Sequence, residues 1–180
     1  MISDPTILIT GASGFLGQII SEELKDTYRR VTLSKSSKEI SCDLSIEIPT
    51  LPRADFVVHA AGKAHIIPGN DQVIEEFNQV NYQGTVNLIK ALEDSGLPIA
   101  LTYISSVAVY GVETGSAINE DHPLTGSTPY AKSKIASEEY LIEWGQKIMQ
   151  KEYLVDGKLN GKDVADIPVW GLTLEDLIAS

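Results

Sequence analysis

Thr10-Gly11-Ala12-Ser13-Gly14-Phe15-Leu16-Gly17 follows directly on the apolar run Ile7-Leu8-Ile9 and opens a stretch of helical character from Phe15 to Leu24. A short, continuously apolar run reads as a strand buried on both faces. Glycines at 11, 14 and 17 let the chain turn tightly, approach a pyrophosphate and pack the helix close to the strand. The first helical turn offers unpaired N–H groups and the positive end of its dipole to an anion. A plain strand–helix turn needs one glycine. Three at this spacing predict a dinucleotide-binding loop, and Ser13, Phe15 and Leu16 fall in the same site.

Outward from this loop the pattern repeats. Val31-Thr32-Leu33 predicts a second strand, Ile40 to Asp43 a third and Asp55 to Ala61 a fourth. Val73, Phe77, Val80, Gly84, Leu88 and Ala91 keep three- and four-residue steps, which predicts one long helix ended by Gly96 and Pro98. Ile99 to Ile104 is a further strand, closed by Ser105-Ser106, and Tyr130 to Met149 is a helix with Ala136, Tyr140, Trp144 and Ile148 at four-residue spacing. Strand–helix alternation predicts an α/β fold: a Rossmann-like, doubly wound parallel sheet with helices on both faces. After residue 149 the character changes. Asp156-Gly157 and Asn160-Gly161 are turn dipeptides, the second suited to a small hairpin, and Thr173 is placed to cap a short last helix.

Bulk properties narrow the function. A chain of 180 residues with 43% hydrophobic residues fits one domain with a substantial core. Its formal charge of −11 repels phosphate backbones, so no nucleic-acid partner is expected. The single cysteine, Cys42, excludes an internal disulfide, and no Cys/His cluster predicts a metal. No apolar run spans a bilayer and no basic-then-apolar leader opens the chain, so a cytoplasmic location and no membrane partner are expected.

Two further constellations carry chemistry. Dinucleotide sites of this kind place a carboxylate at the end of the second strand, bonded to the ribose 2′-hydroxyl. Here that place holds Ser34 and then Lys35. Serine and lysine tolerate a 2′-phosphate and lysine attracts one, which leans toward NADP over NAD; an ordinary solvated Lys35 is the equal alternative. Tyr130 and Lys134 lie four apart, on one helix face. A cation one turn away favours the phenolate and lowers a tyrosine's pKa. Ser105-Ser106 closes a strand where open α/β sheets place their ligands.

TGASGFLG (10–17), VVHAAG (57–62), NYQGTVNL (81–88), YISSVAVYG (103–111) and PYAKSK (129–134) occur together in this order. With them the chain resembles the extended short-chain dehydrogenase/reductases, the NAD-dependent epimerase/dehydratase group, over about residues 5–149. The resemblance implies a nucleotide-sugar substrate and NAD or NADP as cofactor. Gly11, Gly14 and Gly17 would hold the pyrophosphate, Asp43 and Leu44 the adenine end, and Ala60, Ala61 and Gly62 the ribose and nicotinamide. Asn81 would brace the site. Ser106 matches the catalytic Ser/Thr position, Tyr130 the acid/base, and Lys134 would lower the Tyr130 pKa and bond the nicotinamide ribose. His59 is expected to pack and hydrogen-bond inside its strand; His65 has only a small claim on substrate.

The resemblance implies a 1–149 dinucleotide-binding domain followed by a divergent 150–180 segment, with the substrate domain largely missing. An epimerase, dehydratase or reductase is the first functional expectation. A non-catalytic dinucleotide-binding protein, or a shortened remnant of such an enzyme, is the alternative. An uncovered sheet edge and apolar helix faces favour pairing with another copy, through residues 150–180. Sedimentation at micromolar concentration is therefore expected to give a dimer or larger assembly; a monomeric mass would contradict this.

Overall fold

The computed structural model describes residues 5–64, 71–112, 114–115, 117–152, 158–159 and 162–163. His65, Asp156-Gly157, Asn160-Gly161 and the Thr173 helix lie outside the described residues. The chain divides into two compact units, Met1–Ser137 and Glu138–Ser180.

The first unit is built on a five-stranded sheet in the order β3-β2-β1-β4-β5, with β1 Thr6–Thr10, β2 Arg29–Ser34, β3 Ile40–Ser41, β4 Phe56–His59 and β5 Ala100–Tyr103. Every pairing is parallel. β1 is flanked on both sides: Ile9 lies opposite Thr32 on β2 and Val58 on β4. The strand order reverses between β1 and β4, and at such a switch point open sheets leave a crevice beyond the carboxyl ends of the strands.

Alternation along the strands decides which helix covers which face. Ile7, Ile9 and Val58 form one buried cluster with Ile20 of α1 (Phe15–Glu23). On the opposite face His59 meets Thr85 of α3 (Gly84–Ser95), whose Leu88, Ile89 and Leu92 are wholly buried. Helices thus cover both faces, as the patterning predicts.

Two expectations change. Strand and helix do not alternate between β2 and β4. Five residues join β2 to β3, too few for a helix, and the chain then turns through Asp43, whose Oδ1 accepts from the Ser45 N–H at 3.1 Å and hydroxyl at 2.6 Å. The single long helix is also interrupted. α2 (Asp71–Phe77) passes into a π-helical turn over Asn78–Gln83 before α3 begins. The wider turn shifts the register. Val80, on the apolar line in the sequence, is half-buried, while Asn81 is 1% exposed.

The Glu138–Ser180 unit holds the rest of α4 (Pro129–Glu152) and an antiparallel pair, β6 Lys158–Leu159 with β7 Lys162–Asp163. In this pair Lys158 lies opposite Asp163 and Leu159 opposite Lys162.

Ile9 is fully buried between its neighbours on the α1 face. Ile9→Ala is expected to cost about 2–5 kcal/mol in urea unfolding, as large-to-small changes in packed cores do. A loss below about 1 kcal/mol would show that the site relaxes around the cavity.

Candidate active site

The glycine loop is held closed by backbone geometry, with one side-chain bond from Gln18 Nε2 to the Ser13 carbonyl at 2.8 Å. Gly11 has φ of +67°, and a Cβ there would lie 2.6 Å from the Ala61 nitrogen. Its N–H donates to the Leu33 carbonyl at 2.9 Å, and its carbonyl accepts from the Gly14 N–H at 2.9 Å. A Cβ on Gly17 would collide with that same carbonyl. The three glycines thus bring the loop against β2, the β4 end and the first turn of α1. Ser13 and Gly14 are exposed, Leu16 is 37% exposed and Phe15 is 84% exposed. Gly14 caps α1 without a side-chain bond, so the helix N-terminus is open toward this surface.

Beyond β4 the chain runs Ala60-Ala61-Gly62. The Ala61 N–H donates to Thr10 Oγ1 at 3.2 Å. A Cβ on Gly62 would be 3.2 Å from both Asn81 Oδ1 and Lys134 Nζ, so these two groups converge on the bare backbone there. Asn81 Oδ1 accepts from the Lys63 N–H at 2.7 Å, and its amide donates to the Lys63 carbonyl at 3.1 Å and to Ser133 Oγ at 2.8 Å. Its backbone carbonyl accepts from the Thr85 hydroxyl at 2.7 Å and the Ser137 hydroxyl at 3.2 Å. The same carbonyl also takes the backbone N–H of Gly84, at the end of the π-helical turn.

Lys134 is buried, and its ammonium donates to the Ile104 carbonyl at 2.8 Å and lies 4.6 Å from the Tyr103 ring centre. Tyr130 is half-buried one turn earlier, its ring 6.0 Å from that of Phe77. Ser105 and Ser106 follow β5; Ser106 Oγ accepts from the Ala108 N–H at 3.2 Å and starts a 3₁₀ turn over Val107–Tyr110. Among the described residues no hydrogen bond joins Ser106 to Tyr130. Near β2, Ser34 is buried and Lys35 pairs with Asp43 at 2.6 Å. Burial pushes the Asp43 carboxyl up, but bonds from Lys35 and Ser45 outweigh it and hold the group below the usual carboxylate range. The Leu44 carbonyl accepts from the Asn87 amide at 2.8 Å.

His59 is buried between two hydroxyls, Nδ1 2.6 Å from Thr10 Oγ1 and Nε2 2.9 Å from Thr85 Oγ1. Burial, and then the charge of Lys134, lower its pKa to about 3. It ties β1, β4 and α3 together as a neutral ring. The sequence reading missed Thr10, Thr85, Ser133 and Ser137. For the last two a signal was present: two hydroxyls one turn apart, on either side of Lys134.

With the geometry established, the family model for the NAD dependent epimerase/dehydratase family matches residues 7–153. The chain belongs to that family. Among curated relatives, a GDP-6-deoxy-D-mannose reductase from Pseudomonas aeruginosa is 32% identical over 148 residues, covering 77% of this chain and 47% of the relative. Among solved structures, RMD from Pseudomonas aeruginosa complexed with NADPH superposes with a TM-score of 0.63 at 29% identity, covering 80% of this chain and 50% of that one. A UDP-N-acetylglucosamine 4-epimerase from Methanobrevibacter ruminantium, in complex with UDP-N-acetylmuramic acid, gives 0.68 at 25% identity, covering 84% and 52%. The chain spans about half the length of these relatives.

The His59 environment has a pH consequence. Between the ordinary value of 6.5 and about 3 the unfolded chain binds a proton at His59 that the folded one does not. Stability is therefore full above pH 6.5 and is lost as pH falls, by up to about 1.4 kcal/mol per pH unit for one proton. Urea midpoints from about pH 7 down to about 5.5, above most carboxylate titration, are expected to fall accordingly. His59→Gln is expected to be flat over that range; an equal slope in this variant would assign the proton elsewhere.

Proposed function

We propose that this chain is the dinucleotide-binding and proton-handling part of an NAD(P)-dependent sugar-nucleotide epimerase, dehydratase or reductase. One observation carries the reading. The buried ammonium of Lys134 lies beside the side-chain-free backbone of Gly62 and the Asn81 amide, at the same sheet end as the glycine loop. A buried lysine costs several kcal/mol in desolvation unless it is hydrogen-bonded. The Ile104 carbonyl and Tyr103 ring hold it in place.

The residues present fit a nicotinamide dinucleotide. A Cβ at Gly11 or Gly17 would fill the turn, and one at Gly62 would crowd Lys134, so these glycines keep backbone accessible where a pyrophosphate and a ribose need it. Gly14, without a side chain, would let the pyrophosphate approach, Phe15 and Leu16 would offer it N–H groups, Ala60 to Gly62 would line the ribose, and Lys134 would bond the nicotinamide ribose. When bound, the nicotinamide supplies the hydride acceptor and donor. The protein's own part is the proton. Tyr130 oxygen takes the proton from a sugar hydroxyl as its carbon is oxidised, and returns it on reduction. Ser106 would share the substrate hydroxyl once its bond to Ala108 N–H is exchanged. Asn81 positions Lys134 and the Gly62–Lys63 backbone.

The relatives' named substrates, a GDP-6-deoxy-sugar and UDP-sugars, support a nucleotide sugar as substrate class. The test is a fluorescence titration with NADH and NADPH, followed by incubation with UDP-, GDP- and dTDP-sugars. Dinucleotide binding with conversion of any sugar is the expected result; binding without conversion would favour a non-catalytic binding protein. In the active protein Tyr130→Phe is expected to lower turnover about 10²- to 10⁴-fold, the range for loss of a general acid–base group, and to change cofactor affinity far less. Full turnover in this variant would remove Tyr130 from the proton role.

A further inference from the structure

A cavity of about 590 Å³ lies between the glycine loop and the β2–β3 connection. Ala12 and Ser13 form one wall; Ser34, Ser36, Ser37 and Lys38 form the other. At the end of β2, where a carboxylate would hold a bare 2′-hydroxyl and repel a phosphate, stands Ser34. One carboxylate, Glu39, is among the lining residues, and it is engaged: its Oε2 accepts from the Thr32 N–H and hydroxyl, both at 2.6 Å. Asp43, the other carboxylate near this connection, is held by Lys35 at 2.6 Å and by Ser45.

The cations are distributed in the opposite sense. Lys25, Arg30 and Lys38 all line the cavity. Lys25 is paired with Glu22, and Arg30 Nη1 donates to the Ser21 carbonyl at 2.6 Å. Lys38 is exposed and has no carboxylate partner among the described residues. A chain of net charge −11 thus gathers three cations and four serine hydroxyls around one cavity beside the glycine loop. Hydroxyls and cations facing a recess are the donor set for a phosphate dianion.

We propose that this cavity takes the adenosine 2′-phosphate, so that the chain selects NADPH over NADH. Ser13 and Ser36 supply hydroxyl donors and Lys38 the uncompensated charge, while the Ser37 hydroxyl donates to the Thr32 carbonyl at 2.9 Å. Lys35, the lysine that the strand-end position singles out in the sequence, is neutralised by Asp43 and is secondary. The inference rests on the dinucleotide reading above and adds to it the identity of the adenosine end.

The test is calorimetric titration of the full chain with 2′,5′-ADP, 5′-ADP, NADPH and NADH. The phosphorylated member of each pair is expected to bind at least about tenfold tighter, as charged hydrogen bonds to one phosphate imply, with a gap that narrows at high salt. Lys38→Ala is expected to reduce the NADPH-to-NADH affinity ratio several-fold, and Ser36→Asp to bring it to one or below. Equal or tighter NADH binding by the unaltered chain overturns the proposal and leaves the dinucleotide reading standing. Lys38→Ala shifting both affinities equally overturns the phosphate assignment. Binding of none of the four overturns both readings.

Discussion

Asn81 is the group on which the site depends. A side-chain amide buried to 1% has to find partners for both its oxygen and its nitrogen, and the Lys63 backbone and Ser133 are those partners. Its own carbonyl, in the π-helical turn, is met by Thr85 and Ser137. One residue thereby fixes the loop after β4, the start of α3 and the first turns of α4. The position of Lys134 follows from that, because α4 is docked by Ser133 and Ser137 on either side of it. In a low-dielectric interior such a network is firm only when every member is satisfied, so the loss of any one hydroxyl is felt by the others.

The parts that could be read from the sequence are those whose physics is local. A glycine at φ of +67° with no room for a Cβ announces itself by residue type, and the strand before it by its apolar run. Tyr130 and Lys134 could be placed on one face because helical spacing is fixed. The family motifs located Asn81 and Ser106, and the geometry then showed what each of them touches. What stayed out of reach depends on partners far along the chain. The π-helical turn is accompanied by bonds between residue 81 and residues 133 and 137, and no window around Val80 contains those partners. Likewise Lys35 meets Asp43 only because β3 lies against β2, Ser34 opposite Ser41, and a five-residue connection brings them there.

Charge is managed in two opposite ways at the two ends of this site. Around Lys134 one buried cation is held by a carbonyl and an aromatic face, and His59 is kept neutral by burial and by that cation. Around the β2–β3 connection the carboxylates are tied to Thr32 and Lys35. In both arrangements the charged groups are held by named partners inside a strongly acidic chain. An acidic exterior is therefore compatible with an anionic small-molecule ligand, since the field that matters is the local one.

The all-parallel sheet also has a consequence for how the chain reaches this state. No two neighbouring strands are joined by a hairpin in this sheet, and Thr10 waits for His59, 49 positions later, before β1 has its second neighbour. Each such closure costs chain entropy before it returns contacts. The central strand, buried and apolar on both faces, thus precedes in the chain the strand that completes its pairing. In that interval Ile7-Leu8-Ile9 is the segment of the unit most open to pairing with the wrong strand.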